Sequence, residues 1–398
     1  MVSFLQIQKT PNEREVFTEM KKKLLSVLLT GAMAASMFVG CGTSTETTDN
    51  SAPASTDTAT ESTDGGAAAA ATGKKVGVAM PTKDLQRWNQ DGENMQKELE
   101  AAGYEVELQY ASNDTQTQIS QIETMINDGC DVLVIAAIEA SSLGEAMDMA
   151  AEQNIPVIAY DRLIMNTDAV SYYATFDNYK VGQVQGQYII DTLGLDVNDT
   201  SKTYTMEVTA GDPGDNNANF FYSGAMDLLD DYIDAGIIEI KSGQQEFADV
   251  ATAQWATETA QSRMETILSS NYASDDLDIC LCSNDSTALG VENALAANYK
   301  GKYPIITGQD CDIENTKNMI AGKQSMSVFK DTRTLASQVV KMVGQILSNQ
   351  TVDVNDTTTY DNGVKVVPSF LCEPVFADAN NYKQILIESG YYTEDQLK

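Results

Sequence analysis

The stretch IPVIAYDRLI, Ile155–Ile164, is a short apolar run that ends in an acid–base pair. Ile155, Val157, Ile158, Ala159 and Tyr160 are the residues of a strand buried on both faces, and the short length and Pro156 favour a strand over a buried helix. Asp161 and Arg162 stand where that strand ends. In an open parallel sheet, ligands bind in the crevice outside the carboxyl ends of the strands. A carboxylate beside a guanidinium places acceptors and a fork of donors on one small surface.

Upstream of this stretch, strands and helices alternate from Lys75 onward. Val76–Met80 and Val106–Tyr110 read as strands. Trp88–Ala101, with Met95 and Leu99 four apart, reads as an amphipathic helix stopped by Gly103. A helical stripe of Ile119, Ile122, Met125 and Ile126 precedes a third strand, Val132–Ala137. Leu143, Ala146, Met147 and Ala150 line the next helix. Such alternation means βαβ units and a parallel sheet with helices on both faces.

Downstream the unit begins again. Strands are expected at Tyr172–Thr175, Tyr204–Val208, Ile237–Ile240, Ile279–Cys282, Pro304–Thr307 and Met326–Phe329. Helices are expected at Val181–Leu193, Trp255–Leu268, Thr287–Ala297, Asp312–Ala321 and Leu335–Leu347. The chain is therefore read as an α/β protein of two similar lobes with a cleft between them and a boundary near Thr175–Asn178.

The N-terminus follows other rules. Met20-Lys21-Lys22-Lys23, the apolar run Leu24–Val39 and the closing Gly40-Cys41 form a three-part secretory signal, too short and wrongly flanked for a membrane span. Met20 is read as the true start, and Phe38-Val39-Gly40-Cys41 resembles the bacterial lipobox, with Cys41 as the lipidated residue. Thr43–Thr72 is rich in Ser, Thr, Ala and Asp and reads as a flexible tether.

A formal net charge of −33 argues against nucleic acid as a partner, since that demands a basic face. The chain has no histidine, the usual zinc ligand and general base. Cys130, Cys280, Cys282, Cys311 and Cys372 contain no CxxC spacing and read as buried apolar thiols, with no metal site expected. No dinucleotide turn, phosphate loop or nucleophile elbow is present, and no cofactor is expected.

Polar clusters recur where strands end. Lys83, Arg87 and Trp88 follow the first strand, and Asp161-Arg162 the fourth. Asp215-Asn216-Asn217, Ser283-Asn284-Asp285, Gly308-Gln309-Asp310 and Lys330 follow strands of the second lobe. Each alone reads as a turn or helix cap; their recurrence along one edge of two sheets points to a site. Trp88 and Trp255, the two tryptophans, both fall where helices begin. A pyranose has apolar C–H faces and a rim of hydroxyls, so indole faces and flanking Asp, Asn, Arg and Lys match it.

The stretches VGVAMPTKDLQRWNQDG, IPVIAYDRLI, YYATFDNYKVG, PGDNNANFFYSGAM, GQDCDIE and VFKDTRTLA resemble periplasmic monosaccharide-binding proteins of ABC sugar importers. They are similar to the multiple-sugar-binding (ChvE-like) and xylose-binding types, and the resemblance runs from about Lys75 to the C-terminus. It implies the type I periplasmic binding protein fold: two Rossmann-like lobes with parallel sheets, joined by a three-segment hinge. The residues before it are expected to form a signal peptide with lipobox over 1–41 and a tether over 42–73. An N-terminal lobe then covers 74–176 plus 331–361, and a C-terminal lobe 177–330 plus 362–398.

The resemblance also implies roles. Lys83 and Arg87 are expected as hydroxyl donors, Trp88 as a stacking aromatic and Trp255 as the opposing wall. Asp161, Arg162, Asn284, Asp310 and Lys330 are expected as polar contacts, with either Asn216 or Asn217. Phe221 and Asn178 stand second in line near the wall and hinge. Cys311 departs from the pattern, where relatives carry a small residue. The expected function is that of a monomeric, extracytoplasmic, lipid-anchored receptor. It would capture xylose, glucose, galactose or arabinose and deliver it to a permease and ATPase complex, without catalysis. The alternatives are a sugar sensor with a signalling partner and a sugar-processing enzyme using two of the cleft carboxylates.

Overall fold

The computed structural model describes residues 73–398. The expected signal, the lipidation site Cys41 and residues 42–72 of the expected tether lie outside the described residues. Strand β1 (Lys75–Met80), helix α1 (Gln86–Ala101), β2 (Glu105–Tyr110), α2 (Thr115–Asn127), β3 (Val132–Ile135), α3 (Gly144–Glu152), β4 (Val157–Tyr160) and β5 (Val170–Phe176) build the first lobe. The chain then enters the second lobe through α4 (Asn178–Leu193), β6 (Tyr204–Thr209), α5 (Asn216–Asp234), β7 (Ile238–Glu239) and the short α6 (Phe247–Val250). It continues through α7 (Thr257–Asn271), β8 (Ile279–Cys282), α8 (Asp285–Asn298), β9 (Ile305–Ile306), α9 (Ile313–Ile320) and β10 (Met326–Phe329). Helix α10 (Thr332–Leu347) and β11 (Ser369–Cys372) return to the first lobe, and β12 (Val375–Asp378) crosses back.

The first sheet runs β11-β5-β4-β3-β1-β2, and every pairing in it is parallel. Strands β3 (VLVI) and β4 (VIAY) are buried along their whole length. Helices cover both faces, so a parallel strand shows no polar alternation. On one face Val76, Val78 and Ile158 pack with Met95 and Leu99 of α1 and with Leu335, Val339 and Met342 of α10. On the other, Leu133, Ile135 and Ala159 pack with Ile122 and Met125 of α2 and with Met147 of α3. Each of these Val, Leu, Ile and Met side chains contributes about 1.5–3 kcal/mol by leaving water.

The second sheet runs β7-β6-β8-β9, also parallel. Beyond β9 a single parallel bridge, Gln309 to Val328, brings in β10, to which β12 pairs antiparallel. Helices α4 and α5 cross at very short range because Gly182 and Gly224 lack side chains. A Cβ on either would fall 2.1 Å from a backbone carbonyl of the other helix, so a larger residue would prise the two apart.

Three differences from the sequence reading have physical causes. Ser369–Cys372 pairs with Tyr173–Phe176 in the first sheet, so the expected boundary at 361/362 moves past Cys372. A parallel strand finds its partner across a long separation that local pattern does not encode. The expected helix from Trp255 begins at Thr257; Ala253–Trp255 forms a 3₁₀ turn in which Gln254 and Trp255 are left-handed. Strands β7 and β9 are two residues each, shorter than expected.

Cys130, Cys280, Cys282, Cys311 and Cys372 are buried free thiols. Among the described residues no helix is long and apolar enough to cross a membrane. In both sheets the order of strands reverses, between β1 and β3 in the first and between β6 and β8 in the second. The loops leaving β1, β4, β6, β8 and β9 at their carboxyl ends converge on one cleft.

Candidate functional site

The cleft is built outward from Asp161. Its backbone is left-handed (φ 57°), a conformation that costs an L-residue about 1–2 kcal/mol. Local hydrogen bonds hold it there. The Asp161 amide donates to the Ala174 carbonyl. The Asp161 carbonyl accepts from Tyr173 Oη at 2.7 Å, Thr175 Oγ1 at 3.0 Å and Asn217 Nδ2 at 2.6 Å. The carboxylate is thereby aimed across the cleft. Asp310, at the strand end of the second lobe, is left-handed too (φ 99°).

Two cations lie between these carboxylates. Arg87, in the first turn of α1, reaches Asp161 at 2.9 Å and Asp310 at 3.3 Å, and its Nε donates to Asp91 at 2.9 Å. Asp91 also accepts from the Tyr160 hydroxyl. Lys330, just after β10, stands 3.7 Å from Asp161 and 3.4 Å from Asp310. Burial works against the charge on Arg87, but Asp161, Asp91 and Asp310 outweigh it, and its pKa rises well above the ordinary value. Burial likewise opposes ionisation of Asp161, but Arg87, Lys330 and Arg162 pull its pKa below the usual carboxylate value. Both therefore stay charged.

Trp88 and Trp255 supply the aromatic surfaces. The guanidinium carbons of Arg87 and Arg162 sit 4.7 and 5.0 Å from the Trp88 ring centroid, within cation–π range. Arg162 also pairs with Asp215 at 3.1 Å across the lobes and donates to the Ala137 carbonyl. Burial raises the pKa of Asp215, against the pull of Arg162. Trp255 rests on Gly211, where a Cβ would fall 1.9 Å from the indole ring. Phe221 meets Trp255 edge-on at 6.1 Å. The indole Nε1 atoms of Trp88 and Trp255 are buried and make no hydrogen bond among the described residues.

These groups line a cavity between the lobes. Arg87, Trp88, Asp161, Arg162, Asn217, Trp255, Asn284, Asp310 and Lys330 line it, as does Phe221. Lys83 does not. It is exposed, and its ammonium lies over the Tyr110 ring, because it falls in the outward part of the Pro81–Leu85 loop. Asn216 is half-buried and outside the lining, so of the two adjacent asparagines it is Asn217 that turns inward. The Asn217 amide is already engaged: Oδ1 accepts from Tyr173 Oη and Asn178 Nδ2, and Nδ2 donates to Asp161. Asn178 supports the floor without lining it. Asn284 caps α8 by accepting from the Thr287 amide, so the cap and the cavity wall are the same residue. Cys311 packs away from the cavity, its thiol donating to the Ser327 carbonyl.

Leu85, Ser286 and Asp312, together with Asp215 and Gln309 of the strand-end clusters, also line the cavity but were not among the expected ligand contacts. All fall within three residues of a selected one, so the signal was proximity to a strand-end cluster. Burial, and then Asp310, raise the Asp312 carboxyl to about 7. The Gln309 side chain donates to the Ser283 carbonyl at 3.4 Å, while its Oε1 is buried without a partner among the described residues.

The model of the family described as "Periplasmic binding protein domain" matches residues 76–351. The chain belongs to the periplasmic binding protein family. Its two parallel sheets with flanking helices are the type I form of that fold. This periplasmic binding protein is 48% identical to the multiple sugar-binding periplasmic receptor ChvE of Rhizobium radiobacter, over 81% of this chain and 92% of that one. It is 35% identical to the D-xylose-binding periplasmic protein of Escherichia coli, again over 81% and 92%. Among solved structures, an ABC transporter solute binding protein from Clostridium phytofermentans with bound β-D-glucose superposes with a TM-score of 0.80. That chain is 66% identical, and the match covers 82% of this periplasmic binding protein and all of the other. These relatives are binding receptors.

Proposed function

We propose that this protein captures a monosaccharide in its pyranose form between the two lobes and delivers it to an ABC importer. The observation that carries the reading is the pairing of Asp161 and Asp310, one from each lobe, around Arg87 and Lys330 in a cavity walled by two indoles. A hydroxyl offers one donor and two lone pairs. The carboxylates accept from it and the cations donate to it, while indole faces cover the C–H surface of the ring. Arg87, Trp88, Asp161, Arg162, Asn217, Trp255, Asn284, Asp310 and Lys330 are the proposed ligand residues. D-glucose is the first ligand to test, because the 66%-identical relative carries it; D-xylose, D-galactose and L-arabinose follow.

Holding is favoured over hydrolysis by the relatives, which are binding proteins, and by Asp161, which three cations keep ionised as a hydrogen-bond acceptor. Export through the Met20–Cys41 signal, acylation at Cys41 and a tether reaching from the membrane complete the reading. Closure is favoured because only the closed form offers the sugar contacts from both lobes.

Calorimetry with the four sugars tests the binding step. At least one is expected to bind at micromolar affinity or tighter, about 8 kcal/mol of net free energy. No heat with any of them would overturn the proposal.

A further inference from the structure

Outside the cavity, a second set of contacts joins the same two loops. The C-terminal segment after β12 is anchored on the second lobe: Tyr392 packs with Cys311, Met319, Phe329 and Leu386, and Tyr391 stacks edge-on against Phe329. The Tyr392 hydroxyl donates to the Cys311 carbonyl at 2.9 Å. From the first lobe, Gln86 Nε2 donates to the same hydroxyl at 2.7 Å, and Gln90, one turn along α1, does so at 3.3 Å. Tyr391 Oη donates to Gln90 Oε1 at 3.0 Å. Gln86 Oε1 accepts from the Ile313 amide at 3.1 Å. That amide opens α9, whose preceding residue, Asp312, provides no side-chain cap.

We infer that Gln86 and Tyr392 form a latch that sets how long the lobes stay closed on the ligand. The inference rests on the reading of the cleft as a sugar trap. Gln86 is adjacent to Arg87, and Ile313 lies three residues past Asp310, so the latch ties from outside the two segments that Arg87 and Asp310 tie from inside. Neither Gln86 nor Tyr392 lines the cavity. The latch therefore stabilises the closed form without touching the sugar. Apparent affinity scales with the population of the binding-competent form, so the latch strengthens binding of every ligand by one common factor. The effect falls on dissociation, since association begins with the lobes apart.

Gln86→Met and Tyr392→Phe keep side-chain bulk while each removing two of the bonds across the lobes, and either variant suffices if the other fails to fold. Stopped-flow binding of D-glucose, D-galactose and D-xylose is expected to show dissociation about tenfold faster, association within about twofold of the wild type, and the same factor for each sugar. Dissociation rates equal to the wild type's would overturn the latch. So would a loss that differs between sugars, which would mark Gln86 as a pocket residue. Hydrogen exchange at the Ile313 amide in the free proteins separates this test from that of the sugar trap. If the wild type binds no sugar, faster exchange in Gln86→Met still supports the latch, and unchanged exchange overturns it.

Discussion

Arg87 reaches Asp310 at 3.3 Å, although the two are 223 positions apart and leave strands of different lobes. The same guanidinium holds Asp91 on its own helix and Asp161 at the strand end of its own lobe, each at 2.9 Å. A planar fork can serve three carboxylates at once because its donors point in fixed, different directions. Lys330 faces the same two strand ends from the second lobe. The acceptors that meet an incoming hydroxyl are thus fixed by cations before the ligand makes its own bonds, which lowers the cost of ordering them.

Arg87→Lys should show that the fork, not the charge alone, is needed. One ammonium cannot span Asp91, Asp161 and Asp310, so at least one carboxylate is left buried without its partner. Removing one member of a buried pair costs about 3–5 kcal/mol, and a retained charge recovers part of that. Urea denaturation should therefore show a loss of about 2 kcal/mol or more, and calorimetry should show D-glucose affinity reduced by about 100-fold or more. Wild-type values for both would place the triple contact outside the energetics of fold and ligand.

Asp161→Asn isolates the charge. Asparagine tolerates the left-handed backbone that Asp161 adopts, and the three bonds to the Asp161 carbonyl involve no side-chain atom of the residue. The change should cost about 1.5–3 kcal/mol of binding, the range for a hydrogen bond to a charged group. The melting temperature of the free protein should move far less than it does for Arg87→Lys. A collapse in stability with affinity retained would make Asp161 a structural ion-pair member.

How much of this was readable beforehand depended on how local each feature is. Strand β4 and its terminal Asp161-Arg162 were legible because a strand covered on both faces is an uninterrupted apolar run and its carboxyl end is where polar residues return. The pairing of β11 with β5 was not, since parallel strands meet through long connections that leave no local mark. Asn216 and Asn217 were indistinguishable because both sit in the first turn of α5, and the cap geometry at Asp215 decides which one turns inward. Lys83 lies four residues before Arg87, yet its side chain goes out to Tyr110, a choice no spacing rule encodes. Tyr392 lies 306 positions from Gln86, and nothing in its neighbourhood announces a partner.

Gly211→Ala should test whether the seat beneath Trp255 matters. The added methyl would fall 1.9 Å from the indole, and the opposing atoms are a rigid ring, so Trp255 must move. Overpacking of this kind costs about 1–3 kcal/mol. Sugar affinity should fall, and the tryptophan emission of the free protein should shift because one of its two indoles changes surroundings. Unchanged emission and titration would mean that the loop carrying Gly211 yields instead of the ring.

Glu292 on α8 offers a test of electrostatics remote from the cleft. It is buried, and neither carboxylate oxygen has a hydrogen-bond partner among the described residues. Burial, opposed by Lys323 and reinforced by Glu314, raises its carboxyl from 4.5 to about 8. Between these values the folded chain keeps a proton that the unfolded chain has released. The stabilisation is therefore fully present below 4.5, falls as pH rises through the window, and is gone above about 8. Glu292→Gln removes the titration while keeping the shape. The variant should unfold in urea with a stability close to the wild type's near pH 5, and exceed it by about 2 kcal/mol or more near pH 9. A difference that does not change with pH would show that Glu292 reaches water or a cation when it ionises, and that its burial carries no electrostatic cost.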